Sequence, residues 1–148
     1  MTIAAKALRL TPGEAVLLVA AVMALVTARL MVWFTPFRVW SRWILTPQGY
    51  REQQRNRVTS SRVDVAAVAS AVRRAARVVP RSRCLVQAIS GAWLYRAFGY
   101  RPHVIIGVRV EDTNQMAAHA WVKVDGVTMI GALPDLDAFA TLNVEKRP

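Results

Sequence analysis

Cys84 is the only cysteine in a chain of 148 residues. It lies in Arg83-Cys84-Leu85-Val86-Gln87-Ala88, where a basic turn runs into an apolar helical pattern. His119 follows in His119-Ala120-Trp121-Val122, a segment that alternates as a strand does. A thiol at a helix start and an imidazole on a strand are the minimum parts of a cysteine nucleophile site. A lone cysteine forms no internal disulfide and no multi-cysteine zinc site, which leaves packing, intermolecular chemistry or catalysis. Beside leucine and valine, packing as a small buried hydrophobe is the plain alternative. At a helix N-terminus the thiol meets the positive end of the helix dipole, and Arg81 and Arg83 add positive charge, so both favour thiolate. The first-turn amides point outward and can hold an oxyanion.

The elements that must position these groups read as follows. Thr11-Pro12-Gly13-Glu14 is a helix start with a capping box, and the helix runs to about Phe34, where Thr35-Pro36 ends it. Phe37, Trp40, Trp43 and Ile44 have helical spacing, which predicts a shorter helix over 37–45. Thr46-Pro47-Gln48-Gly49 is a turn, and residues 50–62 are polar, arginine-rich and without period. Ser61-x-x-Asp64 opens the next helix, with Val65, Val68, Ala69, Val72, Ala76 and Val79 as its apolar stripe and Pro80 as its end. Another helix runs from Cys84 to about Phe98, with Leu85, Ala88, Ile89, Ala92 and Trp93 facing inward and Gly99 as its C-terminal cap. The period then changes to two. Val104, Ile106, Val108 and Val110 predict a strand with one buried face, Ala118 to Val124 a second, and Val127 to Ile130 a third. Asp125-Gly126 between the last two is a type I′ hairpin signal. His119, Trp121 and Lys123 share one strand face; Ala120, Val122 and Val124 share the other. Helices followed by an antiparallel sheet give an α+β domain, and a cysteine-bearing helix start packed on a sheet carrying histidine is the papain-like arrangement.

The formal net charge is +11, and 17 of the 20 basic residues are arginine. Between Arg38 and Arg83 only Glu52 and Asp64 oppose them, so the surface attracts anions of any class. Aromatic residues do not interleave with the arginines in a base-stacking pattern, which argues against nucleic acid. Mean hydropathy is +0.26, which calls for buried helices, a membrane or an obligate partner. The run Ala15–Val26 is wholly apolar, but Arg29 interrupts it before the ~20 residues that a spanning helix needs. A buried core helix and a membrane-associated one both fit; the first is preferred. A cytoplasmic protein, with membrane association possible, is expected. No phosphate-binding glycine loop and no metal-ligand spacing is present, so no cofactor and no metal are expected.

Three blocks together carry a resemblance. They are Val78-Val79-Pro80-x-x-x-Cys84-Leu85-Val86-Gln87-Ala88, then Val104-Ile105-Ile106-Gly107-Val108, then Ala118-His119-Ala120-Trp121-Val122-x-Val124-Asp125-Gly126. With the upstream apolar helix and Pro36-Phe37-Arg38, they resemble the transglutaminase-like leader peptidases of lasso-peptide biosynthesis. The resemblance implies a cysteine peptidase that removes the leader from a ribosomal precursor peptide before a partner cyclase closes the macrolactam. It implies a separate leader-binding recognition protein, since no run of strands precedes the peptidase blocks. It places the family's cysteine at Cys84 and its histidine at His119. Gln87 and Trp121 are candidate substrate-contacting residues, each with a packing role as its alternative. The whole chain, 1–148, then reads as one domain: a hydrophobic helical region 1–45, an arginine-rich linker 46–62 and a transglutaminase-like catalytic core 63–148. The competing reading is a noncatalytic cationic module docking on an acidic peptide, a partner protein or an anionic membrane.

The family's acidic third member sits on the strand returning after the histidine, and here the chain departs. A two-residue loop pairs Val124 with Val127, so His119 lies opposite Ala132 and the family position falls at Gly131. Neither carries a carboxylate. Asp125 is six residues along the strand from His119, roughly 20 Å at ~3.3 Å per residue, too far to orient the ring. Asp135 and Asp137 follow Pro134, where the chain can turn back, and Asp135 is the candidate third member. A Cys-His dyad, or a backbone carbonyl orienting the imidazole, are the alternatives.

Overall fold

Thr11 begins the first helix, as its side chain allows. Its Oγ1 accepts from the Glu14 amide at 3.3 Å, and the Glu14 carboxylate accepts from the Thr11 amide at 2.9 Å, closing the capping box ahead of Pro12. The computed structural model describes residues 10–36, 39, 63–81, 83–112 and 114–142. Helix α1 spans Pro12–Phe34 and ends where the Thr35 amide and hydroxyl both donate to the Met31 carbonyl. The helix expected over 37–45 and the arginine-rich 46–62 segment lie outside the described residues, Val39 apart.

Helix α2 spans Val65–Val78. Its N-cap is Asp64, which accepts from the Ala66 amide at 3.2 Å, so the helix starts at the acid of the expected box. Helix α3 spans Cys84–Ala97. It was expected to bury one stripe, but it lies between α1, α2 and the sheet and buries residues all round: Val86, Ala88, Ile89, Ser90, Gly91, Ala92, Leu94 and Tyr95. Leu85 and Trp93, expected inside, are only partly buried. Ser90 satisfies its hydroxyl by donating to the Val86 carbonyl at 2.7 Å. Tyr95 donates to the Val65 carbonyl at 3.0 Å and Tyr100 to the Val63 carbonyl at 2.7 Å, fastening the start of α2 to the end of α3. Burial pushes the Tyr95 phenol up to about 12.

The sheet follows. Strands β1 (His103–Val110), β2 (Met116–Val124), β3 (Val127–Ile130) and β4 (Ala140–Thr141) lie in the order β3-β2-β1-β4, all antiparallel. Asp125 and Gly126 both have positive φ, +50° and +81°, as a type I′ turn requires. The outer pair departs from the expected register. Val124 pairs with Val127 and Lys123 with Thr128, but Val122 pairs with Ile130, because a bulge adds one residue to β3. β2 starts two residues earlier than its apolar alternation suggested, and the two-residue β4 was not anticipated. β1 buries less than expected: Val104 is inside, while Val110 is 66% exposed. Ala120, Val122, Val124, Val104 and Ile130 face the three helices and share one core with Leu25, Val68, Val72 and Ile89. The described residues therefore form an α+β arrangement of three α-helices on a four-stranded antiparallel sheet.

Candidate active site

Cys84 is the first residue of α3 and is partly buried, with a free thiol. The turn before it runs through Arg81, which has a left-handed φ of +59°. Arg83 is the N-cap, with extended backbone and no side-chain hydrogen bond to the helix. Most helix starts place a serine, threonine or aspartate there to cover the first amides. Arginine has no acceptor, so the first-turn amides are left for another oxygen, beside the thiol.

Helix α3 reaches the sheet closely at Gly91. A Cβ built there falls 2.1 Å from Ile130 Cδ1, so any larger residue makes the Ile130 side chain turn aside or lifts the helix. Ile130 pairs with Val122, so Gly91 and Val122 are level. Counting back, Cys84 lies seven helical residues before Gly91, about 10 Å. His119 lies three strand residues before Val122, also about 10 Å. Thiol and imidazole therefore each lie about 10 Å along their own element from that contact.

The histidine stands where β3 has ended. β3 covers only Val122 to Val124, so the β3 side of β2 is unpaired at His119. The His119 ring comes off the face opposite Ala120, as expected, where Trp121 and Phe139 lie against it. Its Nε2 lies 2.8 Å from the Gly131 carbonyl oxygen. A carbonyl only accepts, so Nε2 carries the proton, and in the neutral ring Nδ1 presents its lone pair. The ring stacks on Trp121, with centroids 6.1 Å apart and planes at 18°, and meets Phe139 at 5.8 Å. Among the described residues its one hydrogen bond is to Gly131; none joins it to Cys84.

Gly131 fits this role for two reasons. Its φ is +76°, and a Cβ there falls 2.6 Å from the Ala120 carbonyl and 3.1 Å from Trp121 Cα. The chain leaves β3 pressed against β2, and its carbonyl is thereby aimed at the ring. The position at which sequence reasoning looked for an acid is thus occupied by a backbone oxygen.

Asp135, the expected third member, has its carboxylate on the Arg109 guanidinium instead, and no hydrogen bond reaches the imidazole. The Arg109 hydrogen bond holds the Asp135 carboxyl below its ordinary range, with His119 a minor contributor, so the acid lies near the ring. Arg109 also approaches Glu111 at 3.6 Å and lies 4.7 Å over the Phe139 ring. Trp121 is only 4% exposed, under His119 and Phe139, and its place is beneath the imidazole. Gln87 is partly buried on α3, just under one turn from Cys84. Sequence reasoning missed Phe139 and Arg109: neither belongs to a motif, and only the return of the chain through β4 brings Phe139 over Gly107 and His119. Among the described residues no cluster of three or more His, Cys, Asp or Glu could hold a metal ion.

The model of a family described as the transglutaminase-like superfamily matches residues 28–144, from the last third of α1 to beyond β4. No curated protein and no solved structure matches.

Proposed function

With the chain belonging to the transglutaminase-like superfamily, whose members are generally cysteine-dependent enzymes and include cysteine peptidases, we propose that it is a cysteine peptidase acting on the leader–core junction of a lasso-peptide precursor. The observation that carries the chemistry is the Gly131 carbonyl on His119 Nε2, which fixes the tautomer that leaves Nδ1 as a base. The Cys84 thiol gives its proton to Nδ1, and Sγ attacks the scissile carbonyl carbon. The carbonyl electrons move to oxygen, and the uncapped first-turn amides of α3 hold that oxyanion. The ring returns the proton to the leaving nitrogen as the C–N bond breaks, freeing the amine of the core. The leader remains as a thioester on Cys84. Water, deprotonated by the same ring, releases the leader carboxylate and the thiol. In the free enzyme the thiol and the ring are not hydrogen-bonded; such contacts often close only with substrate in place.

The precursor assignment is supported by the sequence blocks around Cys84 and His119. On that reading a cyclase uses the freed amine, and a separate recognition protein delivers the leader. The test is a cleavage assay with precursor, with and without that protein, at two ionic strengths. Slow cleavage alone, acceleration by the partner and weakening by salt are expected. Processing of the precursor by Cys84→Ala at the wild-type rate refutes the assignment.

A further inference from the structure

Helix α1 has two apolar sides, and only one has a partner. Leu17, Ala21, Leu25 and Ala28 are buried against α2 and α3. On the opposite side Val16 is 70% exposed, Val19 62%, Met23 60% and Leu30 46%, and the arc ends in Trp33 and Phe34 at 76% and 74%. It runs about 25 Å along the helix axis. Between Ala15 and Phe34 the only charged residue is Arg29, and its guanidinium turns to the Pro80 carbonyl.

We infer that this arc is a membrane-docking surface, and that α1 lies in the plane of an anionic bilayer with Val16, Val19, Met23, Leu30, Trp33 and Phe34 in the acyl boundary. Three observations choose lipid over a protein. A helix that pairs with another helix in water flanks its apolar seam with charges that set register. Here the flanking positions are Ala15, Leu18, Ala20, Val22, Arg29 and Met31, and the one charge among them, Arg29, is taken up by the Pro80 carbonyl, so the exposed arc is apolar apart from Thr27. Two adjacent aromatic rings close the arc, 5.3 Å apart, in the place where such rings mark the headgroup level. The chain carries a net charge of +11, with Lys6 and Arg9 shortly before α1 in sequence and Arg38 and Arg42 shortly after it, which favours anionic headgroups at both ends. An interfacial helix ordinarily supplies its own polar face; here the rest of the domain takes that place. Spanning is disfavoured because the inner side of the same helix belongs to the protein core. The inference is independent of the chemistry proposed for Cys84.

The test uses the full chain and vesicle flotation. Vesicles of phosphatidylcholine, alone or mixed with about one-third phosphatidylglycerol, give the charge dependence. The expected result is flotation with the mixed vesicles, weakening as salt rises, and at least about a tenfold loss for Val19→Ser with Met23→Ser. Both substituted residues are exposed, and circular dichroism checks that the variant stays folded. A fluorophore on Met23→Cys in a Cys84→Ala background should be quenched by shallow brominated lipid and not by lipid brominated at the chain end. No flotation with either vesicle, or flotation unchanged by the serine pair, overturns the inference. So does quenching at the bilayer centre, which means a spanning helix. Self-association abolished by the serine pair, without flotation, assigns the arc to a second copy and also overturns it.

Discussion

Cys84 is placed by its neighbours in sequence, whereas His119 is placed by residues 12 and 20 positions away, Gly131 and Phe139. The thiol needs a helix start, and a helix start is written locally: a turn, an N-cap without an acceptor, and apolar residues behind it. The imidazole needs a ring orientation, which is set across strands by a carbonyl, an indole and a phenyl ring. The first kind of placement survives changes elsewhere in the chain. The second depends on the path that the chain takes after β3.

The widest test of this contrast is to remove each reacting group. Cys84→Ala should leave no measurable turnover. His119→Ala should lower kcat by about 10²–10⁴-fold, the range general acid–base catalysis supplies. Thermal unfolding of both variants should stay close to wild type, since neither group is central to the core. A fall in melting temperature matching the loss of activity would mean that these residues only pack.

Next is Gly131→Ala. The left-handed backbone costs a non-glycine residue roughly 1–2 kcal/mol, and the added methyl also meets the Ala120 carbonyl. Melting temperature should fall and kcat should fall with it. The ¹⁵N shifts of His119 should report an Nε2–H tautomer in the wild type and mixed tautomers in the variant. If the tautomer stays fixed, the carbonyl is not what orients the ring.

A smaller effect is expected at Asp135. Because Asp135 faces Arg109, Asp135→Asn should change kcat by about fivefold at most, the worth of an exposed ion pair. Asp125→Asn, at the hairpin tip, should change nothing. A loss of several hundredfold at Asp135 would move the third role from Gly131 to that acid. The Asp135 carboxyl is held low, so its ion pair is intact above the ordinary carboxylate range and is lost as pH falls through the lowered value.

The smallest effect concerns the scaffold. The Tyr95 phenol is held up to about 12 by burial, so the unfolded chain loses this proton first. Stability from the neutral phenol is full below about pH 10 and is lost as pH rises toward 12. Tyr95→Phe should remove that slope from a stability-versus-pH curve, leaving the shape below pH 9 unchanged.

Much of this was legible in the residues, for reasons the structure makes clear. The limits of α1 follow from one capping box and one proline, and the hairpin from Asp125-Gly126. Cys84 and His119 were visible because side chains carry their chemistry. The bulge in β3 was not, since one extra residue in a four-residue strand leaves no mark on the alternation, and it moved every register count beyond Lys123 by one. The Gly131 carbonyl could be listed only as an option, because every residue has a carbonyl and only the fold aims one. Arg109 captured Asp135 from the neighbouring strand, a pairing 26 positions apart that no local pattern marks. The two-sidedness of α1 was hidden too. A helix apolar all round gives no period by which to tell its packed side from its bare one.

The close contact at Gly91 has a mechanical reach beyond its own site. The helix rests on Ile130 at that point as a beam rests on a fulcrum, with the thiol at the free end about two turns away. A side chain added at the fulcrum either turns the end of Ile130 aside or tilts the beam, and a tilt moves the thiol relative to the ring while every atom near it stays chemically the same. Gly91 is thus a place where graded substitution, glycine to alanine to serine, tests the chemistry proposed for Cys84 and His119 without altering either side chain.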